Sequence, residues 1–368
     1  MDCYFMKTEE IILNNFQLKY PLERLALLSD ILFLDIETTG FLTGSSSIYL
    51  IGCAYYEDGN WKLRQWFAQT PDEESEILSA FLVYAAAYLK TGDIRGMLDE
   101  MYRSLQYGIF YTLSSRKGLD IFRRITPYKN FLKLPDCKLK TIESFLGIHR
   151  EDIYTGGQLI QVYHDYTSSH DYDLYHTLIL HNADDMKGML ETLPILSYYD
   201  LFNCSIKASK AQTNYYNDMH GVPRKELIIR LIFVSPLPVA ISFMGKGCHF
   251  KAEGYEGTLV IPIYEEELKY YYANYKDYYY LPLEDTALHK SIASFVDKDY
   301  REQATARNCY TRKISLYLPQ WKVMVEPFFK RDYDSKDLFF ELTDDIKKDR
   351  QLFSDYASHV LNAIAFQD

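Results

Sequence analysis

Ile31-Leu-Phe-Leu-Asp35-Ile-Glu37-Thr-Thr-Gly40 is the stretch on which the reading of this chain turns. An apolar run leads into two carboxylates one residue apart, and Gly40 closes it, which is the pattern of a buried strand with an acidic end. Side chains alternate faces along a strand, so Asp35 and Glu37 share one face. Neighbouring carboxylates repel, and partial burial makes it costlier to keep both ionised. A divalent cation relieves that cost, and oxygen-only donors suit Mg2+ or Mn2+. A solvated strand end can carry Asp-x-Glu as well, so the pair needs support from elsewhere in the chain.

That support comes from His181-Asn-Ala-Asp-Asp185, within a helix predicted from Tyr172 to Leu193 and stopped by Pro194. Positions four apart lie on one helical face, so His181 and Asp185 can point into one cleft. The carboxylate can be a metal ligand and the imidazole a general base for an attacking water. An ordinary helical His-Asp pair fits the same spacing. Asp184 points about 100° away on an ideal helix. Between the two segments, Asp93 follows Thr91-Gly92 and opens a helix marked by Ile94, Met97, Leu98, Met101 and Leu105. Asp93 can cap that helix, and a third ligand is expected in this interval. Asp99 is an alternative beside Glu100 that reads as solvent-facing.

Outward from the first strand, Ile48 to Tyr56 and Trp61 to Phe67 are apolar runs joined by Glu57-Asp-Gly-Asn60, a hairpin signal. The three strands predict an antiparallel meander. Pro71-Asp-Glu-Glu74 opens a helix running to about Lys90. Gly118 to Phe122 reads as a short strand and Leu139 to Leu146 as a helix. Beyond Tyr199 the chain turns polar, so 201–226 is expected to be a linker. Strands are predicted over Leu227 to Val234 and Thr258 to Tyr264, a Tyr-dense patch over Tyr270 to Tyr280, and a helix over Thr286 to Asp299. The expected organisation is an N-terminal segment (1–30), an α/β domain with a mixed sheet flanked by helices (31–200), the linker, and a smaller α+β domain (227–368).

At 368 residues and 48% hydrophobic, the chain is large enough for two cores. Aromatics reach 16%, with 34 Tyr, whose hydroxyls need partners wherever the rings are buried. Six scattered cysteines without a CxxC pair argue against a zinc site or a disulfide framework. Without a signal pattern or a long apolar run, the expectation is a cytoplasmic protein with no membrane partner. A net charge of -11 speaks against nucleic-acid binding by bulk attraction. Charge is uneven, however. From Arg116 to Arg150 nine Lys/Arg face three acids, a local basic face of the kind an enzyme offers a polyanion, or else a solvated surface.

Phe33-Leu-Asp35-Ile-Glu37-Thr-Thr-Gly40 resembles the first exonuclease motif of the DEDD superfamily. More closely, Ile31 to Tyr199 is similar to YprB-type ribonuclease H-like proteins. That likeness rests also on Tyr49-Leu-Ile-Gly52, Leu139 to Asp152, Tyr154-Thr-Gly-Gly157 and Leu180-His-Asn-Ala-Asp-Asp185. The resemblance implies a ribonuclease H-like fold and a metal-dependent 3'-5' exonuclease acting on single-stranded DNA or RNA. It matches Asp35, Glu37 and Asp185 to metal ligands and His181 to the catalytic histidine, with Asp93 at the second motif and two Mg2+ or Mn2+ ions between the carboxylates. The second motif departs from the family pattern: Leu89-Lys-Thr-Gly-Asp93-Ile94 lacks the usual Asn and has Gly92 where Phe is expected. The alternative reading is a weakened nuclease fold that serves as a nucleic-acid or protein-binding module.

Overall fold

The run from Ile31 is a strand in the computed structural model of the protein, which describes residues 6–40, 46–89, 110–112, 117–149 and 154–366. Two compact units are present: residues 1–200 together with 235–239, and residues 201–234 together with 240–368. In the first unit β1 (Lys7–Ile12), β2 (Ile31–Thr38), β3 (Ile48–Glu57) and β4 (Asn60–Phe67) are followed by α1 (Glu74–Leu89), β5 (Phe110–Thr112) and β6 (Lys117–Leu119). Helices α2 (Ile121–Ile125), α3 (Leu139–Leu146), α4 (Gly156–Ser169), α5 (Tyr172–Thr192) and α6 (Leu196–Asn203) complete the run.

The sheet order is β1-β4-β3-β2-β5-β6. The β3–β4 turn has Asp58 and Gly59 at φ 51° and 80°, the left-handed pair that lets a two-residue hairpin follow the strand twist. Every pairing among the described strands of this sheet is antiparallel, where a mixed sheet was expected. The physical reason lies in β5 and β6, which pair directly across residues 113–116, a connection too short for a parallel crossover. Two further readings are corrected. The strand expected over Gly118 to Phe122 stops at Leu119, because the Asp120 carboxylate accepts from Arg123 N at 2.8 Å and caps α2. The segment expected to precede the domain carries β1, which pairs with β4 from Lys7↔Phe67 to Ile12↔Lys62.

The core lies where β3 and β4 meet α1, α4 and α5. Its centre is aromatic. Phe67 is fully buried, with Tyr163, Tyr166 and Tyr175 edge-on at 6.0, 5.2 and 5.1 Å. The hydroxyls reach polar partners at the margin: Tyr163 donates to Ala68 O, Tyr166 to Gln69 Oε1, and Tyr175 to Glu9 Oε1. These three tyrosines thus fill the core with their rings while their hydroxyls are satisfied at the edge.

The second unit begins with β7 (Lys207–Asn217), β8 (Pro223–Gly245) and β9 (Cys248–Tyr271), residues 235–239 counting with the first unit. Then come β10 (Tyr278–Leu281), β11 (Thr286–His289), α7 (Lys290–Ala293), β12 (Glu302–Gln303), β13 (Tyr310–Gln320), β14 (Phe328–Phe329), β15 (Leu338–Glu341), α8 (Asp344–Lys348) and α9 (Arg350–Ala365). A six-stranded sheet runs β14-β15-β13-β9-β8-β7, and a small one β11-β10-β12. The segment 201–226, expected as a linker, contains β7 and the start of β8, paired from Lys207↔Ile232 to Asn217↔Pro223. Strand β7 is an edge strand with most side chains exposed, so its polar sequence mimics a loop. The helix expected over Thr286 to Asp299 is instead β11 and a single helical turn, because Asp285, at φ 48°, reverses the chain and β11 returns along β10. Among the described residues no helix is long and apolar enough to cross a membrane.

Helix α9 packs on β7 and β9 of this sheet and carries a histidine held neutral. His359 is 9% exposed, and its Nε2 accepts from Trp321 N at 3.1 Å. Burial first, and the Lys322 ammonium second, hold its pKa at about 4 instead of 6.5. The folded state favours the uncharged ring, so this contribution is complete above pH 6.5 and disappears as pH falls toward 4. It is worth on the order of 3 kcal/mol. His359→Gln, with no proton to gain, should lose less melting temperature than the parent between about pH 7 and about pH 4.5. Equal losses in a thermal scan would show that His359 does not titrate on unfolding.

Candidate metal centre

Strand β2 presents the acidic pair as its sequence suggests. Ile31, Leu32 and Phe33 are buried, and the strand becomes half-buried from Leu34 onward. Its register with β3 sets Asp35 opposite Gly52 and Glu37 opposite Leu50, with an irregularity just after Glu37. Such a break re-aims side chains at a strand end. Helix α5 supplies the other wall. Asp171 caps it, accepting from Asp173 N and Leu174 N, and the helix carries His181 and Asp185 one turn apart.

The two elements converge. His181 Nε2 lies 3.6 Å from Glu37 Oε1 and 3.6 Å from Asp185 Oδ2. Glu37, His181 and Asp185 each offer a ligand atom, and these atoms all lie within 4.8 Å of one another. The imidazole is 5% exposed, Glu37 14% and Asp185 23%, so the group has a closed floor and a side open to solvent. The two carboxylates are oxygen donors of the kind that suits Mg2+ or Mn2+, whereas the imidazole is a softer donor. Tyr49, on β3, is buried and stacked on Tyr163 at 4.0 Å. Burial, followed by the charges of Glu37 and Asp35, drives its phenol far above the usual range and keeps it protonated.

Asp35 is held differently from Glu37. It accepts a 2.9 Å hydrogen bond at Oδ2 from Asn182 Nδ2 and is not one of the clustered three. Asn182 is fully buried, and its Oδ1 accepts from Gln65 Nε2 at 2.8 Å. Gln65 Nε2 donates also to Ile179 O at 2.9 Å. The amide of Asn182 lies over Gly52, where an added Cβ would sit 2.0 Å from Asn182 Oδ1. Asp35, Gly52 and Gln65 are cross-strand neighbours on β2, β3 and β4.

The structure therefore brings together Glu37, His181 and Asp185, and joins Asp35 to them through the residue after His181. Asp185 belongs to the cluster and Asp184 does not. Asp93 and its alternative Asp99 lie outside the described residues. The basic stretch includes α3, which packs against α5, although Arg116 and Arg150 lie outside the described residues. Gln65, Gly52 and Asn182 did not figure among the expected site residues. Gln65 carried a signal nonetheless, being a polar residue on the inward face that Trp61, Leu63 and Phe67 otherwise fill.

Residues 32–194 match a family model described as the RNase H superfamily. The matched span contains β2, β3, β4 and α5, and so every residue of the cluster. No curated protein matches the chain. The likeness supports a nucleic-acid hydrolase of the ribonuclease H type in the first unit, a class that works with divalent metals.

Proposed function

We propose that the first unit is a metal-dependent 3'-5' exonuclease that hydrolyses phosphodiester bonds of single-stranded DNA or RNA. The observation that carries this reading is the meeting of Glu37 with His181 and Asp185, which are 144 and 148 positions later in the chain and come from a different element. Glu37 and Asp185 would hold a divalent cation, with Asp35 and Asp93 completing a carboxylate set for two ions, Mg2+ or Mn2+. Bound there, the cations supply the positive charge that lets an acidic cleft accept a phosphodiester and that offsets charge developing at phosphorus. His181 takes the proton of the attacking water at Nε2, which faces both carboxylates. Its burial keeps that nitrogen directed into the cleft. The phenol of Tyr49, protonated and fully buried, adds no charge beside Glu37 and Asp35. Lys138 and Lys140, at the start of α3, would follow the strand's phosphates.

Digestion of 5'-labelled single-stranded DNA and RNA with Mn2+ tests the reading. The parent protein should give a ladder that shortens from the 3' end, and Asp185→Ala should give none. Equal digestion by both would remove Asp185 from the reaction and the reading with it. Cleavage at internal positions first would replace the exonuclease by an endonuclease.

A further inference from the structure

We infer that Gln65 and Asn182 form a polarised amide relay that fixes the Asp35 carboxylate for cation binding, with Gly52 as the slot that admits it. This rests on the metal-dependent reading above and adds positioning residues to it. The relay has a direction. Ile179 O is a backbone carbonyl and can only accept, so the Gln65 amide must turn its NH2 toward it. The same NH2 donates its second hydrogen to Asn182 Oδ1, which leaves Gln65 Oε1 buried without a partner. With its oxygen so engaged, Asn182 has only its NH2 to offer Asp35, at 2.9 Å. Each amide could flip if it stood alone, and the carbonyl at the far end forbids both flips.

The result is a donor aimed permanently at one oxygen of Asp35. The Asn182 N–H donor occupies one lone pair of the Asp35 carboxylate. It also fixes the side chain's rotation, leaving the remaining lone pairs to a cation. The cost of this device is visible in the sequence. A buried amide oxygen without a partner is unfavourable, and β3 must give up its side chain at Gly52, because a methyl would occupy the space of Asn182 Oδ1. On the same face of β3 the neighbours of Gly52 are Leu50 and Ala54, so only Gly52 leaves the space that the amide fills. Neither the glycine nor the polar Gln65 serves the core. Both are explained by the amide that links them to Asp35.

The test uses the full-length protein and Mn2+ alone, by calorimetry, beside the melting temperature of the metal-free protein. Asn182→Leu and Gln65→Leu keep the approximate size and remove the relay, one at the carboxylate and one at the remote end. Both should weaken Mn2+ binding by about tenfold to a hundredfold, as loss of outer hydrogen bonds to metal ligands does. Asp185→Ala serves as the control and should bind far more weakly still. If Asp185→Ala weakens binding while both leucine variants bind as the parent does, the relay is structural only and the inference is overturned, with the metal reading intact. A Gln65→Leu protein that melts lower yet binds Mn2+ normally overturns it in the same way. If Asp185→Ala binds Mn2+ like the parent, or the parent binds none, the metal reading falls and the relay's role with it.

Discussion

Glu37→Gln should yield a folded protein whose Mn2+-dependent cleavage is lower by on the order of a thousandfold. The substitution keeps the shape of the side chain and removes one of two charges that face His181 Nε2. Transition-state charge stabilisation through a bound metal is worth several kcal/mol, and ~4 kcal/mol corresponds to three decades of rate. Stability should move the other way. In the metal-free protein Glu37 and Asp185 are like charges whose ligand atoms lie within 4.8 Å, so neutralising one relieves repulsion. The metal-free variant should therefore melt no lower than the parent. Added Mn2+ should raise the melting temperature of the parent and leave that of the variant nearly unchanged. Cleavage by Glu37→Gln at close to the parental rate would remove this carboxylate from the reaction.

Phe67→Ala should cost about 3–5 kcal/mol of first-unit stability. The ring is fully buried, with Tyr163, Tyr166 and Tyr175 edge-on around it and Tyr49 at 6.4 Å. Truncation would leave a cavity that these neighbours cannot readily fill. Tyr163 is tied at its hydroxyl to Ala68 O, Tyr166 to Gln69, and Tyr175 to Glu9, so collapse inward means breaking a buried hydrogen bond. The cost should fall in the upper part of that range, with Phe67→Leu losing distinctly less. Urea unfolding of the two variants and the parent measures it, and a loss below about 1 kcal/mol would show that the site repacks.

Much of the first unit was legible because its signals are local. The β2–β3–β4 meander follows from apolar runs and an Asp-Gly turn, and α5 follows from helical periodicity ended by Pro194. Strand and helix periods set Asp35 beside Glu37 and His181 beside Asp185 in advance, the resemblance joined the two pairs, and the structure clusters Glu37, His181 and Asp185. The misreadings have a common cause. Strand β7 and the β11 segment owe their structure to partners, β8 and β10, and not to their own composition. Gln65 illustrates the same limit at the site: a polar residue on an inward face announces a buried partner, yet nothing in β4 says that the partner is Asn182, 117 residues away. Asp93, expected from the sequence as a further carboxylate, lies outside the described residues.

Strand β1 has a consequence for synthesis. Lys7 pairs with Phe67, roughly sixty positions later, and among the described residues β1 pairs with no other strand. On the ribosome it must therefore wait, extended and unmatched, until β4 has emerged. A waiting strand is a hazard because its bare backbone can recruit a neighbouring chain. The residues that later grip the finished sheet guard it in the meantime. Glu9 and Glu10, which come to bond Tyr175 and Tyr55, keep the nascent segment charged and hydrated until its place in the sheet exists.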